Sequence, residues 1–273
     1  MNLTMWFPTK QWSDMKFLII GAIVMVVSGC NGDEELHHHS QPVSLGENEF
    51  TIEHYTSGDP GLQLINIHED EQTSIEASLE YLRDNSGSLT YLKHDQTRRI
   101  EFELDGEMYS IDPNRIYTDQ GIENTLEDGD NYSEAAHEEV AVLAETILQF
   151  YEFDRQDVVI AMHNNQINGF SIESYAKGGN LAHNAERVHI EEDQDINDFF
   201  YLTDERFYEF LTDRGFNAML QDEDEVTDDG SLSVYSGMQG KPYINVEAGH
   251  DHLEKQLNML RVVEEMLRET GLL

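Results

Sequence analysis

Short apolar runs alternate with helical periodicity from residue 61 to the end of the chain. The run 158–162 is continuously apolar, which is typical of a strand buried on both faces. Segments with apolar residues three or four positions apart, such as 134–151, predict amphipathic helices. The predicted strands cover 62–67, 89–92, 99–104, 108–111, 158–162, 199–202, 217–220 and 243–246, and the predicted helices cover 74–83, 134–151, 205–212 and 253–267.

The order of these elements predicts the fold class. Strands that alternate with helices indicate a single α/β domain, with a mixed, mainly parallel central sheet flanked by helices. The segment 59–273 is long enough for one such domain and its core. In sheets of this kind, functional sites form beyond the carboxyl ends of the strands.

The amino-terminal 30 residues have a different pattern. Met15-Lys16, the apolar run 17–27 and Val27-Ser28-Gly29-Cys30 are typical of a secretory signal that ends in a lipobox. We therefore expect a lipoprotein whose translation starts at Met15 and whose Cys30 carries a membrane anchor. The protein would then face outside the cytoplasm in a bacterial envelope, at the outer membrane as Asn31 suggests. A spanning helix is the less favoured alternative, because about 20 apolar residues are needed.

The segment 31–58 has few apolar residues, so we expect a flexible polar tether between the anchor and the domain. It contains His37-His38-His39. A polar tether explains this run without any chemistry, and metal scavenging is the alternative.

The net charge is −39 over 273 residues, with 55 acidic and 16 basic side chains. Phosphate binding requires clustered Lys and Arg, so a nucleic-acid partner is not expected. The chain also has no Gly-rich phosphate loop and no Gly-x-Ser-x-Gly elbow.

A candidate metal site lies at two predicted strand ends. His68 and Glu71 form His-x-x-Glu directly after the first strand, whereas the same pattern at His183 and His189 falls in polar sequence. A catalytic zinc takes three protein ligands, and two histidines with one glutamate are a known set. His163 follows the buried strand 158–162, where it can supply the third ligand.

Four short motifs together resemble the carboxypeptidase-like zinc metallohydrolases, especially the aspartoacylase and succinylglutamate desuccinylase branch. They span most of 62–250 as ordered motifs rather than as continuous similarity. The motifs are His68-Glu69-Asp70-Glu71, Asp112-Pro113-Asn114-Arg115, Met162-His163 and Val246-Glu247.

The resemblance implies a role for each matching residue. His68, Glu71 and His163 would hold one zinc ion. Arginine pairs with both oxygens of a carboxylate, so a substrate carboxylate would bind at the Asp112-Pro113-Asn114-Arg115 motif. The implied substrate ligands are Asn114 and Arg115, the implied general base is Glu247, and the implied carbonyl-polarising residue is Arg98 or Arg99.

The sequence also departs from the family pattern. Glu69 stands where members of the family carry glycine. The active-site tyrosine of the carboxypeptidases has one candidate counterpart, Tyr235, in the Gly-rich stretch 230–240, which we interpret as a lid. His250 and His252 are interpreted as loop and helix-start residues, with support of the site as the alternative.

The resemblance implies a zinc-dependent hydrolase. Its substrate would be an acylated amino acid or a peptide, such as one from the cell wall, that bears a free carboxylate. The alternative is a non-catalytic envelope lipoprotein that keeps the fold and binds a ligand or partner.

Overall fold

The computed structural model describes residues 36–166 and 169–273. The strands are β1 (His37–Leu45), β2 (Asn48–Ser57), β3 (Leu62–Asn66), β4 (Gly87–Lys93), β5 (Ile100–Leu104), β6 (Glu107–Ile111), β7 (Val159–Asn165), β8 (Ala185–His189), β9 (Phe199–Leu202), β10 (Ala218–Gln221) and β11 (Tyr243–Gly249). The helices are α1 (Gln72–Asp84), α2 (Asp119–Asp128), α3 (Glu134–Phe150), α4 (Glu205–Thr212), α5 (Leu232–Met238) and α6 (Leu253–Thr270).

Nine of these strands form one mixed sheet in the order β1-β2-β4-β3-β7-β11-β9-β10-β8. The four central strands β4, β3, β7 and β11 are parallel to one another. Antiparallel pairs lie on both sides of this centre. The predicted α/β class, with a parallel centre in a mixed sheet, is therefore confirmed.

Side-chain alternation along β7 divides the core into two layers. Ile160 and Met162 pack on the side that carries α1, α4 and α6. Val159 and Ala161 pack on the side that carries α2, α3 and α5. Because successive strand residues point to opposite faces, His163 continues the row of Val159 and Ala161. The alternation thus fixes the face of the sheet on which this histidine lies.

The prediction of a flexible tether over 31–58 is wrong for the part that the structure describes. Residues 37–57 form the β1–β2 hairpin, and β2 pairs with β4 at the side of the sheet. Val43, Leu45, Phe50 and Ile52 are buried in the core. These four apolar residues are separated by polar ones, so the composition of the segment hides a strand pattern with one buried face.

The three consecutive histidines of β1 do not converge on one point. The Nε2 atom of His38 lies 2.5 Å from a carboxylate oxygen of Glu53. The ring of His39 instead lies against the ring of Phe150, with centroids 6.3 Å apart. Neighbouring residues of a strand point to opposite faces, which separates these side chains.

The predicted signal segment and Cys30 lie outside the described residues. Among residues 36–166 and 169–273, no helix combines the length and the apolar character required to cross a bilayer.

Candidate metal centre and cleft

Three parallel strands end at one edge of the sheet and bring the predicted residues together there. Asn66, the last residue of β3, donates from Nδ2 to the carbonyl of Met162 at 3.0 Å, which holds β3 against β7. In the register of β7 and β11, His163 lies beside Glu247. The carboxyl ends of these strands therefore supply His68, His163 and Glu247 to the same place.

His68, Glu71 and His163 form a group that can hold a metal ion. The Nδ1 atoms of the two histidines are 3.4 Å apart. The carboxylate of Glu71 lies 3.1 Å from Nδ1 of His68 and 2.8 Å from Nδ1 of His163. Zinc–ligand bonds of about 2.0–2.2 Å place the ligands of a tetrahedral ion roughly 3.3 Å from one another. The donor atoms therefore fit zinc in both type and spacing.

The charges of this group compensate one another at full burial. Burial alone would lower the pKa of His68, but the carboxylates of Glu71 and Asp112 raise it to about 9. Burial would raise the pKa of Glu71, whereas the imidazoles of His163 and His68 hold it far below its usual range. The carboxylate is thus stabilised in the ionised form, which is the form that binds a cation.

Glu247 lies beside this group and is also buried. It accepts hydrogen bonds from Nδ2 of Asn165 at 3.2 Å and from Nδ2 of Asn245 at 3.1 Å. Burial raises its pKa to about 7; the charge of Glu71 adds to this rise and that of His163 opposes it. A carboxyl group with a pKa near neutrality can both take up and release a proton at neutral pH.

Asp112 connects the metal-binding group to the Asp112–Arg115 motif. One of its oxygens accepts from Nε2 of His68 at 2.8 Å and from the backbone N–H of Asn114 at 2.9 Å. A carboxylate on the far ring nitrogen fixes the tautomer of a metal-binding histidine. Asp112 is assigned no role from the sequence alone. Its position in the motif Asp-x-Asn-Arg could have indicated a role at the site.

Arg98 and Arg99 point in different directions. The Nη1 atom of Arg98 lies 3.0 Å from Glu71, and its Nε atom lies 3.5 Å from Asp112. Arg99 instead donates to Ser110 and to the carbonyl of Thr125. The structure therefore brings Arg98 into the cleft and gives Arg99 contacts that hold the β5–β6 hairpin to α2.

We call the buried group of His68, Glu71, His163 and Glu247 the inner end of the cleft. The cleft has a volume of about 580 Å³ and extends from this group to Asn114, Arg115 and Asp229, which we call the outer end. Here Arg115 donates from Nη1 to the carbonyl of Asn114 at 2.6 Å, and its Nε lies 3.5 Å from Asp229. The Oδ1 atom of Asn114 accepts from the backbone N–H of Leu232 at 3.1 Å.

The prediction that Tyr235 belongs to the site and lies on a lid does not agree with its position in the structure. Tyr235 lies in α5, and its ring packs against Phe153 and Tyr117 at centroid distances of 5.2 and 6.2 Å. It lines a separate surface cavity between α3 and α5. The apolar partners of α5 hold the ring there, and the tyrosines that line the cleft are Tyr175, Tyr201 and Tyr243.

The other histidines discussed above, and Glu69, are not members of the metal-binding group. His183 is in a short 3-10 helix, and Nε2 of His189 lies 3.3 Å from Glu191. His250 follows β11 in a loop, whereas His252 precedes α6 and contacts Asp198 at 2.8 Å through Nδ1. Glu69 points to the backbone N–H groups of His94 and Gln96, so it fills a turn beside the cleft.

No protein-family model matches the sequence, and no curated protein does so either. Among solved structures, a candidate metallopeptidase from Shewanella denitrificans has 15% identity and a TM-score of 0.39, with 83% of this chain and 82% of that chain covered. An aspartoacylase family protein from Mesorhizobium loti has 10% identity and a TM-score of 0.41, with 91% and 70% covered. A candidate carboxypeptidase from Burkholderia mallei has 11% identity and a TM-score of 0.42, with 84% and 64% covered. At these identities, the likeness is one of fold.

Proposed function

We propose that this protein is a zinc-dependent hydrolase that cleaves an amide bond in a small substrate with a free carboxylate. The observation that carries the proposal is the convergence of His68, Glu71 and His163 beside the buried carboxyl group of Glu247. Burial of ionisable groups costs free energy unless they form hydrogen bonds or ion pairs with one another or bind a ligand. A metal ion is the ligand that this donor set suits.

The side chains of the cleft divide the work of amide hydrolysis. A zinc ion held by the three ligands would supply Lewis acidity towards water and a carbonyl oxygen. Glu247 would take a proton from the attacking water at its carboxylate and give it to the leaving nitrogen. Arg98 would donate to the oxygen on which negative charge develops. Asn114 and Arg115 would bind the substrate carboxylate through amide and guanidinium N–H groups.

The test combines metal analysis with hydrolysis assays. The purified protein should contain about one zinc per chain, the number that a single three-ligand site holds. Glu247→Gln should retain this zinc but reduce hydrolysis of a panel of acylated amino acids and peptides by roughly 10²–10⁴-fold. Glu76→Gln, at an exposed position of α1, is the matched control and should leave the zinc content and the hydrolysis rate unchanged.

Two outcomes would contradict the proposal. Full activity in Glu247→Gln would remove this residue from the reaction. Bound zinc without hydrolysis of any substrate in the panel would favour a ligand-binding protein of the same fold instead.

We also propose that Cys30 carries the membrane anchor. Its position after Val27-Ser28-Gly29 supports this assignment. In cells fed labelled palmitate, the wild-type chain should incorporate label into the membrane fraction, and Cys30→Ser should not. Equal labelling of both chains would exclude the anchor.

A further inference from the structure

We infer that the outer end of the cleft recognises a zwitterionic amino-acid head, meaning one carbon that bears both a free ammonium and a free carboxylate. The inference builds on the proposed function. It narrows the substrate class to amides formed elsewhere on an amino acid, for example at a side-chain amine.

The ion pair at the outer end carries this inference. Nε of Arg115 and Oδ2 of Asp229 lie 3.5 Å apart, and both residues line the cleft. Their side chains are 35% and 41% exposed, so a ligand can reach both charges. Half-exposed ion pairs are weak in water, which lets a ligand compete for each partner.

Both side chains keep bonding capacity for a ligand. Asp229 accepts from the backbone N–H of Ser231 through Oδ1 at 3.0 Å, and a carboxylate can accept further hydrogen bonds. Arg115 uses Nη1 and Nε in its contacts with Asn114 and Asp229, and a guanidinium has five N–H donors. One charge of each sign is thus available at a short separation.

An amino-acid head presents opposite charges at a similarly short separation, because both groups are attached to one carbon. A ligand with a carboxylate alone would bind Arg115 but would also meet the negative charge of Asp229. Like charges placed together disfavour binding, so this arrangement selects against plain carboxylic acids. An ammonium on the same carbon converts that repulsion into attraction.

The remaining lining favours the same ligand. Among the described residues, four carboxyl groups and two guanidinium groups line the cleft, namely those of Asp70, Glu71, Asp229 and Glu247 and those of Arg98 and Arg115. The buried hydroxyls of Ser231 and Ser233, 3.0 Å apart, also line it. The cleft is therefore acidic and polar, which suits a ligand that brings a cation together with its carboxylate.

Equilibrium binding tests the inference without any turnover. The two probes are Nε-acetyl-L-lysine and 6-acetamidohexanoate, which share the amide, the chain and the carboxylate and differ only in the α-ammonium. We use the Glu247→Gln protein and titration calorimetry. The lysine probe should bind about tenfold tighter or more, as expected for a hydrogen bond between charged groups.

Three variants and probes make the result specific. In the same protein, Asp229→Asn should bring the two affinities within about twofold of each other. It should weaken binding of the lysine probe and, because the repulsion is lost, tighten binding of the hexanoate. Arg115→Gln should weaken both probes, because both need the guanidinium. Nα,Nε-diacetyl-L-lysine, which keeps the ε-amide but has a blocked α-amine, should not bind more tightly than the hexanoate.

Several outcomes would overturn the inference. These are equal binding of both probes to the Glu247→Gln protein, equal weakening of both by the added Asp229→Asn substitution, and no effect of the added Arg115→Gln substitution. Equal weakening would mean that Asp229 only orients Arg115. Glu247-dependent hydrolysis without a preference for zwitterionic heads would refute the inference and leave the proposed function intact. A preference for zwitterionic heads without any hydrolysis would support the inference and contradict the proposed function.

Discussion

The two ends of the cleft differ in burial and in the strength with which their charges are held. At the inner end, the side chains of His68, Glu71 and His163 are at most 5% exposed and contact one another at 2.8–3.4 Å. At the outer end, Arg115 and Asp229 are 35% and 41% exposed and 3.5 Å apart. The inner end is preorganised for one small cation, whereas the outer end offers charges that a larger ligand can exchange.

This difference follows from the elements that supply the residues. The inner end is built on the ends of β3, β7 and β11, which are central strands of the sheet. The outer end is built on a 3-10 turn, Pro113–Arg115, and on the loop before α5. Sites on rigid strands hold geometry well, and loops adapt more easily to a substrate. Substitutions at the two ends should therefore affect different measurable quantities.

Loss of the charge of Glu71 should have the largest effect. Glu71→Gln keeps the shape but removes the anionic member of the proposed three-ligand set, so zinc content after dialysis should fall from about one to below about a tenth per chain. The measurement is metal analysis of the folded protein.

Glu69→Gln is the matched control. Glu69 is a buried glutamate in the same turn, but its carboxylate accepts from the backbone N–H of His94. Its zinc content should equal that of the wild type. Equal metal loss in both variants would show that the turn, rather than the ligand, was disturbed.

Asp112 should have the next largest effect, through His68. Asp112→Asn keeps the side chain but removes the negative charge that faces Nε2, so zinc affinity should fall by about 10–100-fold. Competition with a chelator of known affinity measures this change. Asp119→Asn, at a fully exposed position of α2, should leave the affinity unchanged. An unaltered zinc affinity in Asp112→Asn would mean that Asp112 stabilises only its own loop and does not affect His68.

The sequence predicts the inner end far better than the outer end, and the reason is physical. The mainly apolar runs 62–67, 158–162 and 243–246 are readable because buried strands need them. The polar residue directly after each run lies within two residues of the carboxyl end of its strand. Parallel strands then bring such residues together without knowledge of the loops. The Asp105-Gly106 hairpin is readable for a similar local reason, since both residues have positive φ angles of 55° and 81°.

The parts that the sequence left open depend on distant contacts. Arg98 and Arg99 are neighbours of the same type, and only their partners Glu71 and Ser110 distinguish them. Asp229 meets Arg115 across more than a hundred residues of chain. The β1–β2 hairpin was missed because half of its residues face away from the core, and polar residues dominated its composition.

Arg115 should affect substrate binding more than the reaction itself. Arg115→Lys keeps the positive charge but loses the planar fork, so KM for a carboxylate-bearing substrate should rise about tenfold while kcat changes by less than about twofold. Steady-state kinetics with the zinc-loaded protein measures both constants, and zinc content should not change. A lower kcat at constant KM would place Arg115 at the reacting bond instead of at the substrate carboxylate.

Tyr235 should have the smallest effect, because its hydroxyl belongs to neither end of the cleft. Its ring lies on Phe153 in the cavity between α3 and α5. Tyr235→Phe should therefore change kcat/KM by less than about twofold, the usual range for a substitution away from a site. Tyr175→Phe is the matched comparison, since Tyr175 lines the cleft, and it should cause the larger loss. If Tyr235→Phe instead lowered kcat/KM by more than about tenfold and Tyr175→Phe did not, α5 would have to move during turnover and carry Tyr235 over the outer end.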